Sequence, residues 1–460
     1  MINSKDKVIN YFKSGIKNTK DFKIGIEHEK FLFNNKDNKR VDYHKIKKTE
    51  DFKIGIEHEK FLFNSNNKRI DYSKIKEMFA ALLEFGWNPI LEKENIIGLN
   101  KDGKNITLEP GNQIELSGEK LNHIHEACAE SQDYLFELKQ VTKKLDINIV
   151  SAGFDPISKL KEIPNNPKQR YELMTKDMPL GGELSLDMMY RTCGTQLNID
   201  YNSEKDFVKK FKIINSIVPI SIALFANSSI VEKKNSNYLS YRSKVWQSTS
   251  RGGLPKIFLD NLDFEKYADF VINFPVLFIQ DKEEYISGKK YIFKDFMNGK
   301  ISEISNRLPR DNDLSIHLST IFTENRLKRY IELRSMDTCG WDCLCSGPAF
   351  YVGLLYGNLN EVYELVSKWD KDKIINAYLE APQKGFNTQL MGKDLLYWAS
   401  TLLDISRKGL ENRDILNKNN KDETLFLNHL QKVIDNKTTN ADHMINKFSV
   451  NEDLNVLYDK

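Results

Sequence analysis

Four separated stretches of this chain alternate between apolar and polar side chains, and a strand with that pattern can be covered by protein on one side only. Over Lys53–Phe63, Glu57 and Glu59 fall on one face and Ile54, Ile56 and His58 on the other. Ile106 to Gly118 reads ITLEPGNQIELSG, with Gln113, Glu115 and Ser117 opposing Ile114 and Leu116. Its Pro110-Gly111 turn signal leaves the facing of Glu109 open. Gly194 to Tyr201 sets Gln196, Asn198 and Asp200 against Leu197, Ile199 and Tyr201. Leu327 to Arg334 sets Lys328, Tyr330, Glu332 and Arg334 against Ile331 and Leu333. One antiparallel sheet with its apolar side on helices and its polar side lining a cleft satisfies all four, which predicts an α+β fold.

The first of these stretches occurs twice. Asp21–Asn34 and Asp51–Asn64 both read DFKIGIEHEKFLFN. Two copies do not make a solenoid, so the repeat reads as a tandem duplication with one redundant copy. Only the second copy is followed by a complete amphipathic segment, with Ile75, Met78, Phe79, Leu82 and Leu83 on one side. The second copy is therefore the expected working strand, with the first on the periphery or disordered. Residues 1–50 read as an N-terminal helix plus the redundant segment, and 51–460 as a single catalytic domain. Helical patterns cover Leu121–Leu145, Glu204–Ala226 with a break near Pro219, and Ala349–Trp369, and the chain is mainly helical after 350.

Composition narrows the function by exclusion. The 68 basic residues nearly cancel 65 acidic ones, for a net charge of +3, so no nucleic-acid footprint is expected. No apolar run is long enough to span a bilayer and no secretory leader is evident at Met1–Asp6, so a cytoplasmic chain without membrane contact is expected. Five cysteines in 460 residues do not form a disulfide framework. Cys339, Cys343 and Cys345 lack a usual zinc spacing. His58, on the apolar face of its strand, reads as a hydrogen-bonded core histidine.

The chemistry lies on the polar faces. Neighbouring carboxylates such as Glu57 and Glu59 repel unless a cation sits between them, and hard oxygen ligands suit magnesium. Several carboxylates with amide and arginine neighbours in one cleft would hold Mg2+ and a triphosphate together. Walker A and G-x-G-x-x-G patterns are absent, so a nucleotide would be held through metal-bridged phosphates and basic side chains.

Seven stretches carry a family resemblance: IGIEHEKF (54–61), LEPGNQIELSG (108–118), RYELM (170–174), LDMMYRTC (186–193), LFANSS (224–229), LSYRSKVW (239–246) and RLKRYIELRSMD (326–337). In that order they resemble glutamate–cysteine ligase of the plant and alphaproteobacterial type, within the glutamine-synthetase-like carboxylate–amine ligases. The resemblance implies an antiparallel sheet of about six strands shaped as a funnel. It implies an ATP- and Mg2+-dependent enzyme, a monomer or homodimer, that activates glutamate's γ-carboxylate as an acyl phosphate. Cysteine's amine then displaces phosphate, in the first step of glutathione biosynthesis. Carried over by motif, Glu57, Glu59, Glu109, Glu115, Gln196 and Glu332 are the expected metal set. Arg334 is expected to stabilise the transferring phosphoryl group, and Arg170 and Arg242 to bind substrate carboxylates. Cys128 and Cys345 fall where relatives carry a redox-sensitive pair.

Two departures qualify the resemblance. Gln247–Gly253 is short and lacks the acidic stretch of the family, and Asn227-Ser228-Ser229-Ile230 lacks its proline. They leave open a ligase with another amine acceptor, and a non-catalytic regulatory paralogue. The glycine pairs Gly181-Gly182 and Gly252-Gly253 read as turns.

Overall fold

The structure, a computed structural model, describes residues 1–17, 52–282, 284–451 and 453–459. The first repeat copy, with the rest of the duplicated segment, lies outside the described residues. The second copy is β1 (Ile54–Asn64). It is joined by β2 (Asn88–Glu92), β3 (Asn95–Lys101), β4 (Lys104–Leu108), β5 (Ile114–Ser117), β6 (Ile147–Val150), β7 (Gly194–Ile199), β8 (Asn325–Leu327) and β9 (Ile331–Asp337). These nine form one sheet in the order β8-β9-β7-β1-β5-β4-β3-β2, with β6 paired to the far half of β1. Every pairing in it is antiparallel.

The sheet is wider than the six strands expected. The additions are short or irregular: β8 has three residues, and the β2–β3 pairing shifts register between Ile90 and Leu91. Neither leaves a clean alternation to read. The β3–β4 turn is legible, because Asp102-Gly103 adopts φ of 49° and 87°, the left-handed pair a tight hairpin requires.

Helix ends follow local chemistry. Helix α1 (Lys5–Lys13) buries Val8 and Phe12 in the main core. In α2 (Tyr72–Leu83) the Asp71 carboxylate accepts from the Lys74 N–H and caps the first turn. It buries Ile75, Met78, Phe79 and Leu82, while Leu83 turns outward. Helix α3 (Ile124–Lys144) packs beside it, and the two cover the apolar face of β3–β5. Helices α4 (Gln169–Asp177) and α5 (Ser185–Arg191) stand over the polar face. The predicted break before Pro219 separates α6 (Glu204–Ser216) from α7 (Val218–Leu224), both in the core against β1, β7 and β9. Helix α8 (Tyr241–Gln247) follows.

The predicted helix at 349–369 is interrupted. Ser346–Val352 and Leu359–Val366 are separated by a wider π turn at Gly353–Gly357. A Cβ on Gly353 would lie 2.3 Å from the Ser406 carbonyl, and one on Gly357 2.2 Å from that of Gly409. The backbones of this turn and of helix Leu395–Arg413 therefore cross at glycine-only separation. Among the described residues no helix is long and apolar enough to cross a membrane.

Candidate active site

Register converts four separate polar faces into one surface. Glu57 pairs across the ladder with Gln196 on one side and Ser117 on the other, and Glu59 pairs with Glu115. Glu332 lies opposite Asn198 and Arg326, and Thr107 lies opposite Glu115. Glu57, Glu59, Thr107, Glu115, Ser117, Gln196 and Arg326 floor a cavity of about 380 Å³, with Glu332 and Asn198 beside it, roofed by Arg170, Tyr171, Met188, Met189, Arg242, Trp246 and Phe322.

The facing of Glu109 is settled by its turn. Its N–H donates to the Gln113 carbonyl, and its own carbonyl accepts from Asn112, whose φ is 60°. That loop turns the side chain into the cavity, where it accepts from Tyr171 OH at 3.1 Å and Thr107 Oγ1 at 3.3 Å. Two polar-face residues are tied up in holding the fold, Gln113 at the cavity wall and Asp200 outside it. Gln113 donates to the Met189 and Thr192 carbonyls and accepts from Gly111, pinning the turn. Asp200 accepts from the Lys53 N–H and pairs with Lys17 at 3.6 Å, outside the cavity. His58 is a core residue against Tyr134, but neither ring nitrogen has a partner among the described residues. Burial holds it neutral, with a pKa well below the usual range, so it is not the hydrogen-bonded histidine expected.

Charge divides the cavity. Burial and then the charge of Glu109 push the Glu59 carboxyl up to about 7. Burial, then Glu57, Glu109 and Glu59, raise Glu115 well above the ordinary range. Burial and Glu332 raise Glu57, although Asn198 Nδ2 donates to it at 2.7 Å. At the other end burial alone would raise Glu332 too, but Arg326, Lys328 and Arg334 together hold it below the ordinary range. Arg326 Nε and Lys328 Nζ each approach a different oxygen of that carboxylate to 2.5 Å, and Arg334 stands 3.7 Å away.

The arginines arrive from different elements. Arg334, at the register shift of β9, donates to Gln196. Arg242, on α8, donates to the Arg334 carbonyl at 2.8 Å. Their guanidinium carbons lie 5.2 and 4.9 Å from the Trp246 ring centre. Arg170, on α4, donates to Tyr171 OH at 2.9 Å. The Nε atoms of Arg170, Arg242 and Arg334 and the Trp246 indole nitrogen are all buried without a partner among the described residues. Buried donors in that state are costly, and an anionic ligand in the cavity would satisfy them.

The residues present fit a divalent cation by their chemistry, since buried, mutually repelling carboxylates share one wall. Among the described residues no three potential ligands converge on one point, and Glu332, expected as a ligand, is paired with Arg326 and Lys328. Sequence reading missed Arg326, Tyr171 and Trp246 as site residues. Arg326 was findable, because a tight hairpin at 328–330 places it opposite Glu332.

The short 247–253 segment does not form a plain turn. Gly252-Gly253 pairs in parallel with Phe322-Thr323, and Arg251 is buried, donating to Thr320 and to the Pro275 carbonyl. Cys128 and Cys345 are bridged, Cα atoms 5.9 Å apart, as are Cys339 and Cys343 at 6.1 Å, leaving Cys193 free and buried.

The profile of glutamate-cysteine ligase family 2 matches residues 53–459. The chain is 40% identical over 448 residues to the chloroplastic glutamate–cysteine ligase of Nicotiana tabacum, covering 96% of this chain and 79% of that one. It is 39% identical to chloroplastic glutamate–cysteine ligase B of Oryza sativa subsp. japonica, covering 97% and 84%. A crystal structure of a glutamate–cysteine ligase from Francisella tularensis in complex with AMP shares the fold, with a TM-score of 0.52 at 13% identity, covering 86% and 84%. The expectation of a cytoplasmic chain is overturned. The plant relatives are named as chloroplastic proteins, not cytoplasmic ones.

Proposed function

Because the chain belongs to glutamate–cysteine ligase family 2 and so joins glutamate to cysteine, we propose that the cavity on the polar face of the sheet is where the joining takes place. The observation that carries this is the pairing of repelling buried carboxylates with unpartnered buried guanidinium nitrogens in one cavity. One set calls for a cation, the other for carboxylate and phosphate.

In this reading ATP and Mg2+ occupy the cavity with glutamate and cysteine, and the sheet acts as the wall of a funnel. Glu57, Glu59, Glu109, Glu115 and Gln196 would hold the metal, with Glu332 at its edge. Bound there, magnesium neutralises phosphate charge and favours phosphoryl transfer. An oxygen of glutamate's γ-carboxylate attacks the γ-phosphorus and ADP leaves. The amine of cysteine then attacks the acyl carbon and phosphate leaves, in the first step of glutathione biosynthesis. The protein's part is positioning and charge stabilisation. Arg334 orients the transferring phosphoryl group, and Arg170 and Arg242 orient substrate carboxylates. Residues 51–460 form the catalytic unit, with 1–50 carrying the N-terminal helix and the redundant copy. The Cys128–Cys345 bridge, which ties α3 to helix Ser346–Val352, makes activity sensitive to thiol reductants.

The test is phosphate release from ATP with Mg2+ and glutamate, adding cysteine or other amines singly. Stimulation by cysteine with γ-glutamylcysteine as product is expected. Turnover with another amine alone would replace the acceptor, the alternative left by the short 247–253 segment. Glu57→Gln with Glu59→Gln should lower turnover by about three orders of magnitude, whereas Glu27→Gln with Glu29→Gln should spare it. The reverse pattern would move the site to the first copy.

A further inference from the structure

We propose that Lys328 is a phosphate-binding residue of this enzyme, its ammonium passing from Glu332 to the phosphate chain of the nucleotide. The inference rests on the nucleotide-binding reading above.

It comes from comparing the three cations around Glu332. Arg326 is committed: its Nε holds Glu332, and its NH1 donates to the Ser319 and Ile321 carbonyls at 2.7 and 3.0 Å. Arg334 is held in place by Gln196 and the face of Trp246, with its Nε unpartnered among the described residues. Lys328 differs. Among the described residues its hydrogen-bonded partner is one oxygen of Glu332, and the Tyr330 ring lies 5.7 Å away. Its side chain keeps 17% exposure, against 5% for Arg326 and 9% for Arg334, and it lines the cavity.

An ammonium has three donors on a flexible stem, so it can change partners without moving the backbone. The backbone here is held, because the Lys328 N–H donates to the Tyr330 carbonyl across the hairpin turn. Three cations for one carboxylate leave this end of the cavity positive, and an anionic chain entering it meets in Lys328 the most exposed and most flexible of the three, with donors beyond the one that faces Glu332. The lysine is also next to the oxygen that Glu332 must free to approach a metal. Release of that oxygen would strand a largely buried ammonium, and a phosphate oxygen restores its pairing.

A purely structural role, with Lys328 acting only to hold Glu332, is the rival explanation, and a double-mutant cycle separates the two. Binding of the non-hydrolysable analogue AMP-PNP with Mg2+ is measured by calorimetry for wild type, Lys328→Met, Glu332→Gln and the double variant. Lys328→Met should weaken binding about tenfold or more, Lys328→Arg should recover most of it, and the loss should persist when Glu332→Gln is already present. A loss that vanishes in the Glu332→Gln background, or no loss at all, overturns the proposal. If Lys328→Met does not fold by thermal melting, Lys328→Gln replaces it under the same criteria. Failure of the underlying site reading shows separately, as AMP-PNP binding unaffected by Glu57→Gln with Glu59→Gln.

Discussion

In the half of the cavity built by β1, β4 and β5, burial and then the charges of neighbouring carboxylates raise Glu59 and Glu115. In the half built by β8 and β9, Glu332 meets Arg326, Lys328 and Arg334 and is held ionised. Both halves lie on one face of one sheet and both are buried. The comparison separates two effects often merged: burial pushes Glu59, Glu115 and Glu332 alike upward, and the neighbouring charges decide which remain ionised. The first half is short of positive charge and the second has an excess, so a metal-bound polyphosphate is complementary to the pair and to neither half alone.

The largest effect that could break this contrast is Glu332→Gln. It leaves three buried or half-buried cations without their counter-charge and should lower the unfolding free energy by about 3 kcal/mol, read by denaturant titration. Unchanged stability would mean the cations are satisfied without it. The same type of substitution in the other half should act with opposite sign. Glu59→Gln or Glu115→Gln should raise the stability of the metal-free protein at pH 8 by about 1 kcal/mol, and a loss there would show that repulsion does not govern that wall.

Titration sharpens the contrast next. The Glu59 carboxyl is raised to about 7, so the folded metal-free protein binds more protons than the unfolded chain between the ordinary carboxylate range and that value. Stability should therefore fall as pH rises through this window and level off above about 7. Glu59→Gln should flatten the slope. Glu332 works in reverse: its depressed value stabilises the fold above the ordinary range, and that contribution is lost only in acid. The smallest expected change is Thr107→Val, which removes the long hydrogen bonds to Glu109 and Glu115 and should cost about 0.5 kcal/mol in the same titration.

Much of the fold was legible because its signals are local. Alternation placed Glu57, Glu59, Glu115, Gln196, Glu332 and Arg334 on polar faces; five of them line the cavity, and Glu332 sits beside it against Arg326 and Lys328, which do. The break near Pro219 and the covering helix after the second copy were readable for the same reason. The misses share a different cause. Leu83 turned outward because the helix ends there, Asp200 left the cavity because β7 stops at Ile199, and His58 was placed in the core without its hydrogen bonds.

The sequence by itself therefore determined which side of each strand is polar, since side-chain facing in a strand depends only on counting by two. It also identified the family through residues held within single strands and helices. The tertiary structure alone decided that Glu59 meets Glu115, that Glu109 turns inward, that Arg170 and Arg242 arrive over the sheet from α4 and α8, and that three cations gather on Glu332. Those outcomes depend on strand order and register, which are set by packing between segments far apart in the chain, and no count along one segment contains them.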